Sequence, residues 1–264
     1  ITDEDIKNAR RAYYGQISYI DDKIGNLLKA LDDTGMKEDT IILFTADHGD
    51  MLGEKGLWYK MSLFEGSARV PLLVHAPQRF TSKRVDTPVS LVDLLPTLLD
   101  ITDDPHVNVP ADTMDGESLV PLLEHGDGQN SRTIISEFLG EGAIAPCFMV
   151  RSGSYKYIYS QPDPPQLYDL RADPEEMTNL AGNPEYASIE ESLHQAVMDH
   201  QNPEKVHQDV LASQDRRRLV FTAHMTGKHT PWDYQPIHDA STKYMRNHLD
   251  LNDVEGRARI DSKQ

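Results

Sequence analysis

The first part of the chain alternates polar and apolar positions with the period of an α-helix. Thr2 and Asp5 approximate a capping box, and the acidic residues there complement the positive end of the helix dipole. Apolar residues then recur at spacings of three, four or seven and mark one face: Ile6, Tyr13, Ile17, Ile20, Ile24, Leu27, Leu28 and Leu31. Gly35 suits the end of a helix. The pattern therefore predicts an amphipathic helix from Thr2 to about Gly35.

Two short apolar runs follow, and each predicts a buried strand. They cover residues 40–45 and 71–76, and neither contains a charged side chain. A helix followed directly by such a strand is typical of a parallel α/β unit. Residues 90–99 predict a further helix, in which Pro96 is tolerated if it lies near the first turn.

The pattern changes in the second half of the chain. Residues 103–130 are rich in Gly, Pro and acidic side chains, which indicates a loop-rich link. Three short β-rich runs then predict antiparallel strands, with a hairpin turn at 152–154. The runs are 134–138, 147–150 and 155–159.

Two helices and a polar tail complete the predicted architecture. Residues 184–200 and 203–225 each begin with a proline suited to a first helical turn. We therefore expect three domains. They are an α/β core with a mixed sheet over 1–130, a small α+β sheet-and-helix subdomain over 131–226, and an extended tail over 227–264. The tail is too polar to have its own core, so we expect it to contact another subunit.

Composition limits the classes of partner. A hydrophobic content of 38% with 26% charged residues is typical of a globular protein. No apolar run approaches the roughly 20 residues that a membrane span needs. The net charge of −17 argues against nucleic acid and anionic membranes as partners. The single cysteine, Cys147, cannot form a disulfide within this chain and favours a reducing compartment, so we expect a cytoplasmic location.

Polar residues directly follow the first predicted strand. Asp47, His48 and Gly49 lie at its carboxyl end, where open α/β sheets bind ligands. Gly49 would let the backbone turn sharply. A carboxylate beside an imidazole can supply two ligands of a metal site, and Lys60 is a nearby cation for an anionic substrate. These residues indicate a hydrolase, although the residue pattern alone also leaves a chance occurrence open.

Several segments carry a resemblance to a known family. The segments TADHGD, GLWYKM and FEGSARVPLLVHAP, between Thr45 and Pro77, resemble the second metal-binding region of the sulfatases in the alkaline phosphatase superfamily. The likeness continues through QLYDL at 166–170 and EMTNLA at 176–181. TPWDYQP at 230–236 and YMRN at 244–247 resemble the C-terminal tail of choline-sulfatases, a narrower group. The resemblance implies a sulfatase-like mixed sheet flanked by helices.

The resemblance also implies roles for individual residues. The family holds a divalent cation through carboxylates plus one amide or imidazole, and Asp47 and His48 match the latter half of that set. Many sulfatases have Asn where this chain has His48, which leaves Ca²⁺ and Mn²⁺ both open. Lys60 matches a lysine that contacts the sulfate and leaving-group oxygens.

The nucleophile that the resemblance implies is missing from this sequence. Sulfatases use a formylglycine made from Cys or Ser in a Cys/Ser-x-Pro/Ala/Ser-x-Arg segment. Met149 stands two residues after Cys147, so that segment does not match, and we interpret Cys147 as an inert thiol in a strand. We expect the formylglycine in a missing N-terminal half, and therefore that this chain is a C-terminal fragment without activity alone.

A choline substrate makes a separate demand on the site. A quaternary ammonium group is recognised by aromatic faces and a carboxylate. Glu137 and Glu141 lie at the end of a predicted strand, and the resemblance favours Glu137 as the counter-ion. Trp232 and Tyr234 could line the pocket, also that of a neighbouring subunit, or could anchor the tail.

The predicted reaction is hydrolysis of choline-O-sulfate to choline and sulfate, in a homo-oligomer assembled through the tail. Two alternatives stay open. One is a phosphonate or phosphate diester hydrolase of the same superfamily, and the other is a non-catalytic assembly module.

Overall fold

The computed structural model describes residues 2–102, 114–127, 132–140 and 142–227. Residues 1–210 form one compact unit and residues 211–264 a second. The predicted domain divisions after residues 130 and 226 stay predictions. Trp232, Tyr234 and Glu141 lie outside the described residues, as does the rest of the predicted tail beyond Gly227.

The N-terminal helix forms as predicted. Helix α1 spans Asp3–Asp33. Its capping box is present, since the Asp5 amide donates to Thr2 Oγ1 at 3.2 Å and the Thr2 amide donates to Asp5 Oδ2 at 2.8 Å. No residue of α1 is buried, and Leu27 on its apolar face is 67% exposed. Ile6 and Tyr13 at its N-terminal end are partly buried, but much of this face is exposed within the described part of the chain.

The two apolar runs form a pair of strands, but the pair is antiparallel rather than parallel. Strand β1 spans Ile42–Thr45 and β4 spans Leu72–His75, with Ile42 opposite His75. The chain returns between them through a hairpin of β2 (Met51–Leu52) and β3 (Trp58–Tyr59) and the short helix α2 (Glu65–Ala68). Because no long crossover helix lies between β1 and β4, antiparallel pairing is the accessible geometry.

The predicted burial of these strands is also not found in the described part of the chain. Phe44 of β1 and Leu73 of β4 are both exposed. Like much of the apolar face of α1, these two side chains are large, hydrophobic and exposed. The first sheet therefore presents apolar surface that no described residue buries.

The second sheet carries the main core. It is an antiparallel meander in the order β5-β6-β7-β8, which confirms the three predicted strands and adds a fourth. The strands span Thr133–Phe138, Cys147–Ser152, Tyr155–Ser160 and Gln166–Asp169. Gly153 takes a φ of +55° in the predicted hairpin turn. Phe148, Val150 and Leu167 of the sheet are fully buried and belong to one cluster with Val197 of the helix that follows.

Helices precede and follow this sheet in the sequence. Helix α3 spans Leu94–Thr102, with Pro96 in its first turn as expected, and α4 (Val120–His125) lies inside the predicted link. Helices α5 (Ala187–His200) and α6 (Pro203–Met225) confirm the last two predicted helices. Within the described ranges, no helix is both long and apolar enough to cross a membrane.

Candidate functional site

An open cleft of about 1790 Å³ contains four of the predicted site residues. Asp47, His48, Lys60 and Glu137 all line it. Asp47 and His48 follow β1, Lys60 follows β3, and Glu137 lies near the end of β5. The cleft therefore brings residues from both sheets to one surface, as a site for a small substrate requires.

Asp47 and His48 are arranged as a pair of potential metal ligands. His48 Nδ1 donates to the Gly49 carbonyl at 2.9 Å, which leaves the lone pair of Nε2 available. Nε2 lies 3.6 Å from Asp47 Oδ2, and the Asp47 side chain is 89% exposed. Two ligand bonds of about 2.0–2.6 Å can span that separation, so both atoms can bind one cation.

The pair supplies only part of a ligand set. Over the ranges that the structure describes, no group of three or more His, Cys, Asp and Glu side chains is placed to hold a metal ion. A hard divalent cation takes six or more oxygen ligands. Asp47 and His48 therefore fit a metal site to which other groups also contribute.

The backbone after His48 is packed tightly against α2. The Gly49 amide donates to the Ser67 carbonyl at 2.8 Å. A Cβ atom on Gly49 would lie 2.2 Å from the Gly66 carbonyl oxygen, far inside van der Waals contact. Close approach of two backbones, rather than the sharp turn expected from sequence, is what requires glycine here, since Gly49 has no positive φ.

Lys60 is exposed on the cleft and follows a strained residue. Tyr59 has a φ of +66°, a conformation that non-glycine residues rarely adopt. The Lys60 carbonyl accepts two hydrogen bonds, from the Ser62 amide at 2.9 Å and from Ser67 Oγ at 2.5 Å. These contacts hold the backbone of Lys60 in place while its side chain stays accessible.

A buried ion cluster anchors α2, and sequence reasoning missed it. Lys156 of β7 is fully buried, with Nζ 2.9 Å from Glu65 Oε1 and 2.8 Å from Glu176 Oε1. The second contact has an ion-pair distance without the angles of a hydrogen bond. Glu176 Oε2 also accepts from the Glu65 amide at 2.7 Å. The sequence feature that could have revealed this cluster is Lys156 within a predicted strand, together with Glu176 at the start of the segment 176–181.

Lys55 and Arg69 extend this anchor. Lys55 is exposed, and its Nζ donates to the Glu176 carbonyl and lies 4.8 Å from the centre of the Phe64 ring. Arg69 Nη1 lies 3.9 Å from Glu65 Oε2 and forms an ion pair with it. The 47–69 segment is thus tied to the turn after β8 by several charged contacts.

Glu137 is already engaged by the end of α5. Its Oε1 accepts from His200 Nε2 at 2.8 Å and from Gln201 Nε2 at 2.9 Å. Glu137 and His200 are distant in sequence, and only the fold brings them together. Oε2 of Glu137 makes no hydrogen bond within the described residues.

Arg151 is a second cleft residue that the sequence did not single out. Its Nη1 is buried and has no hydrogen-bond partner within the described residues. Burial lowers the pKa of the Arg151 guanidinium below its usual value, and the nearby Glu65 carboxylate opposes that shift.

Cys147 lies in β6, as predicted, with its thiol 3.6 Å from the Ala145 carbonyl.

Two family models match the chain. The model described as sulfatase matches residues 2–104, and the model described as choline sulfatase enzyme C terminal matches residues 208–260. The chain is 43% identical to a choline-sulfatase of Rhizobium meliloti over 97% of its own length and 50% of that protein. It is 38% identical to arylsulfatase K of Xenopus laevis over 69% of its length and 35% of that protein.

A solved structure supports the fold. The phosphonate monoester hydrolase of Agrobacterium radiobacter aligns with a TM-score of 0.65 and 31% identity, covering 75% of this chain and 42% of that one. This likeness confirms the predicted α/β fold class. The chain spans about half the length of the curated choline-sulfatase it matches.

Proposed function

Because the chain belongs to the sulfatase family, we propose that it takes part in hydrolysis of a sulfate ester, with choline-O-sulfate giving choline and sulfate. The observation that carries the proposal is the placement of Asp47, His48 and Lys60 along one cleft, with Asp47 Oδ2 and His48 Nε2 3.6 Å apart. The choline leaving group is proposed from the matched choline sulfatase C-terminal model and from the curated relative.

Each residue has a separate task in this proposal. Asp47 and His48 would hold a divalent cation, Ca²⁺ or Mn²⁺, which when bound polarises the sulfate ester as a Lewis acid. Lys60 binds the sulfate oxygens and stabilises the negative charge that develops on them. Glu137 balances the charge of the quaternary ammonium through its Oε2 atom, since Oε1 is held by His200.

The nucleophile is proposed to come from outside this sequence. The family generally uses a formylglycine, and the segment after Cys147 does not match the required motif. Trp232 and Tyr234 are proposed to close the choline pocket. Tests of activity therefore use the whole natural protein in which this sequence occurs.

Replacing Asp47 or Lys60 tests the core of the proposal. We expect Asp47→Ala and Lys60→Ala each to lower kcat/KM for choline-O-sulfate by about 100-fold, because the first removes a ligand of the proposed cation and the second removes the positive charge beside the sulfate oxygens. Sulfate release measures the effect. Asp33→Ala and Lys29→Ala, which break an exposed ion pair on α1, are the matched controls. Unchanged rates for both site variants would refute the sulfatase assignment.

Replacing Glu137 tests the leaving group. We expect Glu137→Gln to raise KM for choline-O-sulfate by about tenfold, because it removes the counter-ion of the ammonium. KM for an aryl sulfate, whose leaving group carries no positive charge, should not change. Glu191→Gln on the exposed side of α5 is the control. An equal rise in KM for both substrates would contradict choline as the leaving group.

One observation favours a second candidate reaction. The aligned solved structure is a phosphonate monoester hydrolase. A protein with that activity would release phosphonate or phosphate faster than sulfate, and it would show no preference for quaternary amines. Comparing product release from matched sulfate and phosphonate esters separates the two.

Partners and location are proposed from composition alone. A net charge of −17 supports a small-molecule partner rather than nucleic acid or an anionic membrane. The polar segment after residue 226 supports a homo-oligomer assembled through the tail. The single cysteine supports a cytoplasmic location.

A further inference from the structure

Ser67 connects the two charged parts of the candidate site. It lies in α2 and is 2% exposed. Its carbonyl accepts from the Gly49 amide at 2.8 Å, next to His48, and its Oγ donates to the Lys60 carbonyl at 2.5 Å. One buried residue thus contacts the backbone beside His48 through its carbonyl and the backbone of Lys60 through its hydroxyl.

The segment that carries Ser67 is itself fixed by contacts of the residues that precede Ser67. Glu65, the first residue of α2, pairs with buried Lys156, and its amide donates to Glu176. Gly66 has no room for a side chain, since a Cβ atom there would lie 2.8 Å from Met51 Sδ. Ser67 therefore has a well-defined position from which to orient its neighbours.

The backbone before Lys60 needs such support. Tyr59 is 72% exposed and has a φ of +66°, so its own side chain packs against little. A non-glycine residue in this region is strained and persists where surrounding contacts over-determine the conformation. Tyr59 lies opposite Met51 in the β2–β3 pairing, and the hydrogen bonds from Ser62 and Ser67 to the Lys60 carbonyl hold the backbone that follows it.

We infer that Ser67 is a positioning residue for Lys60. Its hydroxyl holds the Lys60 carbonyl and so sets where the lysine lies relative to Asp47 and His48. This inference rests on the proposed function, in which Lys60 binds sulfate. Only the Ser67 hydroxyl contacts Lys60, whereas the Ser67 carbonyl accepts from Gly49 beside His48. A change of the Ser67 side chain therefore removes the first contact and keeps the second.

The test compares two serine-to-alanine substitutions in the whole natural protein. Ser67→Ala removes the hydrogen bond to Lys60 but keeps the carbonyl that accepts from Gly49. We expect it to weaken competitive inhibition by inorganic sulfate about tenfold and to lower kcat/KM similarly, while the affinity for the divalent metal stays unchanged. Ser18→Ala is the matched control, since Ser18 Oγ also donates to a backbone carbonyl, that of Tyr14 at 3.2 Å, but lies on α1 outside the cleft.

A double-mutant cycle shows whether Ser67 acts through Lys60. If it does, Ser67→Ala has no further effect on sulfate inhibition in a Lys60→Ala background. Ser67→Cys, which keeps a weaker donor, should lose less than Ser67→Ala. Additive effects, or an equal loss of metal affinity, would overturn the inference and indicate a general structural role. A Lys60→Ala variant with normal activity would instead overturn the proposed function itself.

Discussion

Replacing Lys156 with alanine is expected to lower the free energy of unfolding by about 3–5 kcal/mol. Lys156 is fully buried between Glu65 and Glu176, at 2.9 and 2.8 Å, and Glu176 is also nearly inaccessible to water. Removing the ammonium leaves two carboxylates close together, with buried Glu176 lacking its charge partner and Glu65 keeping only the 3.9 Å contact with exposed Arg69. The loss is expected to be large because the desolvation of both acids is no longer offset.

Urea denaturation of the whole natural protein measures this loss. Lys205→Ala breaks an exposed lysine–aspartate pair on α6 and should change stability by no more than about 0.5 kcal/mol. A Lys156→Ala variant as stable as that control would show that the buried cluster contributes nothing. The same variant should also weaken sulfate inhibition, because the cluster anchors the helix that carries Ser67.

Replacing Asp93 with asparagine is expected to cost a similar 3–5 kcal/mol at neutral pH. Asp93 is fully buried, and its two oxygens lie 2.6 and 2.7 Å from the guanidinium of Arg132. The same carboxylate accepts from the amides of Ser90 and Glu117. Asparagine keeps the shape but leaves the Arg132 guanidinium with only the exposed Glu117 carboxylate, 3.6 Å from Nε, as a charge partner.

The Asp93 contacts also make stability depend on pH. Burial alone would raise the pKa of Asp93, but the hydrogen bond from Arg132 and those from the Glu117 and Ser90 amides outweigh it, so the pKa lies below its usual value. A depressed pKa in the folded state stabilises the fold above the unfolded pKa, about 3.9. This contribution is lost as the pH falls through the folded pKa.

Stability measured between pH 7 and pH 2 checks this prediction. The difference between the natural protein and Asp93→Asn should be constant near neutral pH and shrink in acid. Asp209→Asn, in an exposed pair on α6, is the control and should show little difference at either end. A difference that stays constant down to pH 2 would contradict the assigned role of the Asp93 carboxylate.

Local patterns predicted most helices and strands correctly. The Thr2–Asp5 capping box and the period of α1 depend on residues three or four apart, and both are present. The β5–β7 strands and the turn at Gly153 follow from alternation and from the conformational freedom of glycine. The fourth strand, β8, and the helix α4 lie in segments whose patterns are too short to predict either.

The sequence by itself determined where most of the longer helices and strands lie and which short segment carries the acid, imidazole and lysine of the candidate site, because those signals act between neighbours along the chain. Tertiary structure alone decided that β1 pairs antiparallel with β4, that Glu137 is held by His200, and that Ser67 bonds to both Gly49 and Lys60. It also decided that a lysine in the middle of β7 is buried between two acids. Such contacts join residues far apart in sequence, and no local period encodes them. Packing of the elements places those charges together, and their desolvation then makes the pairing obligatory.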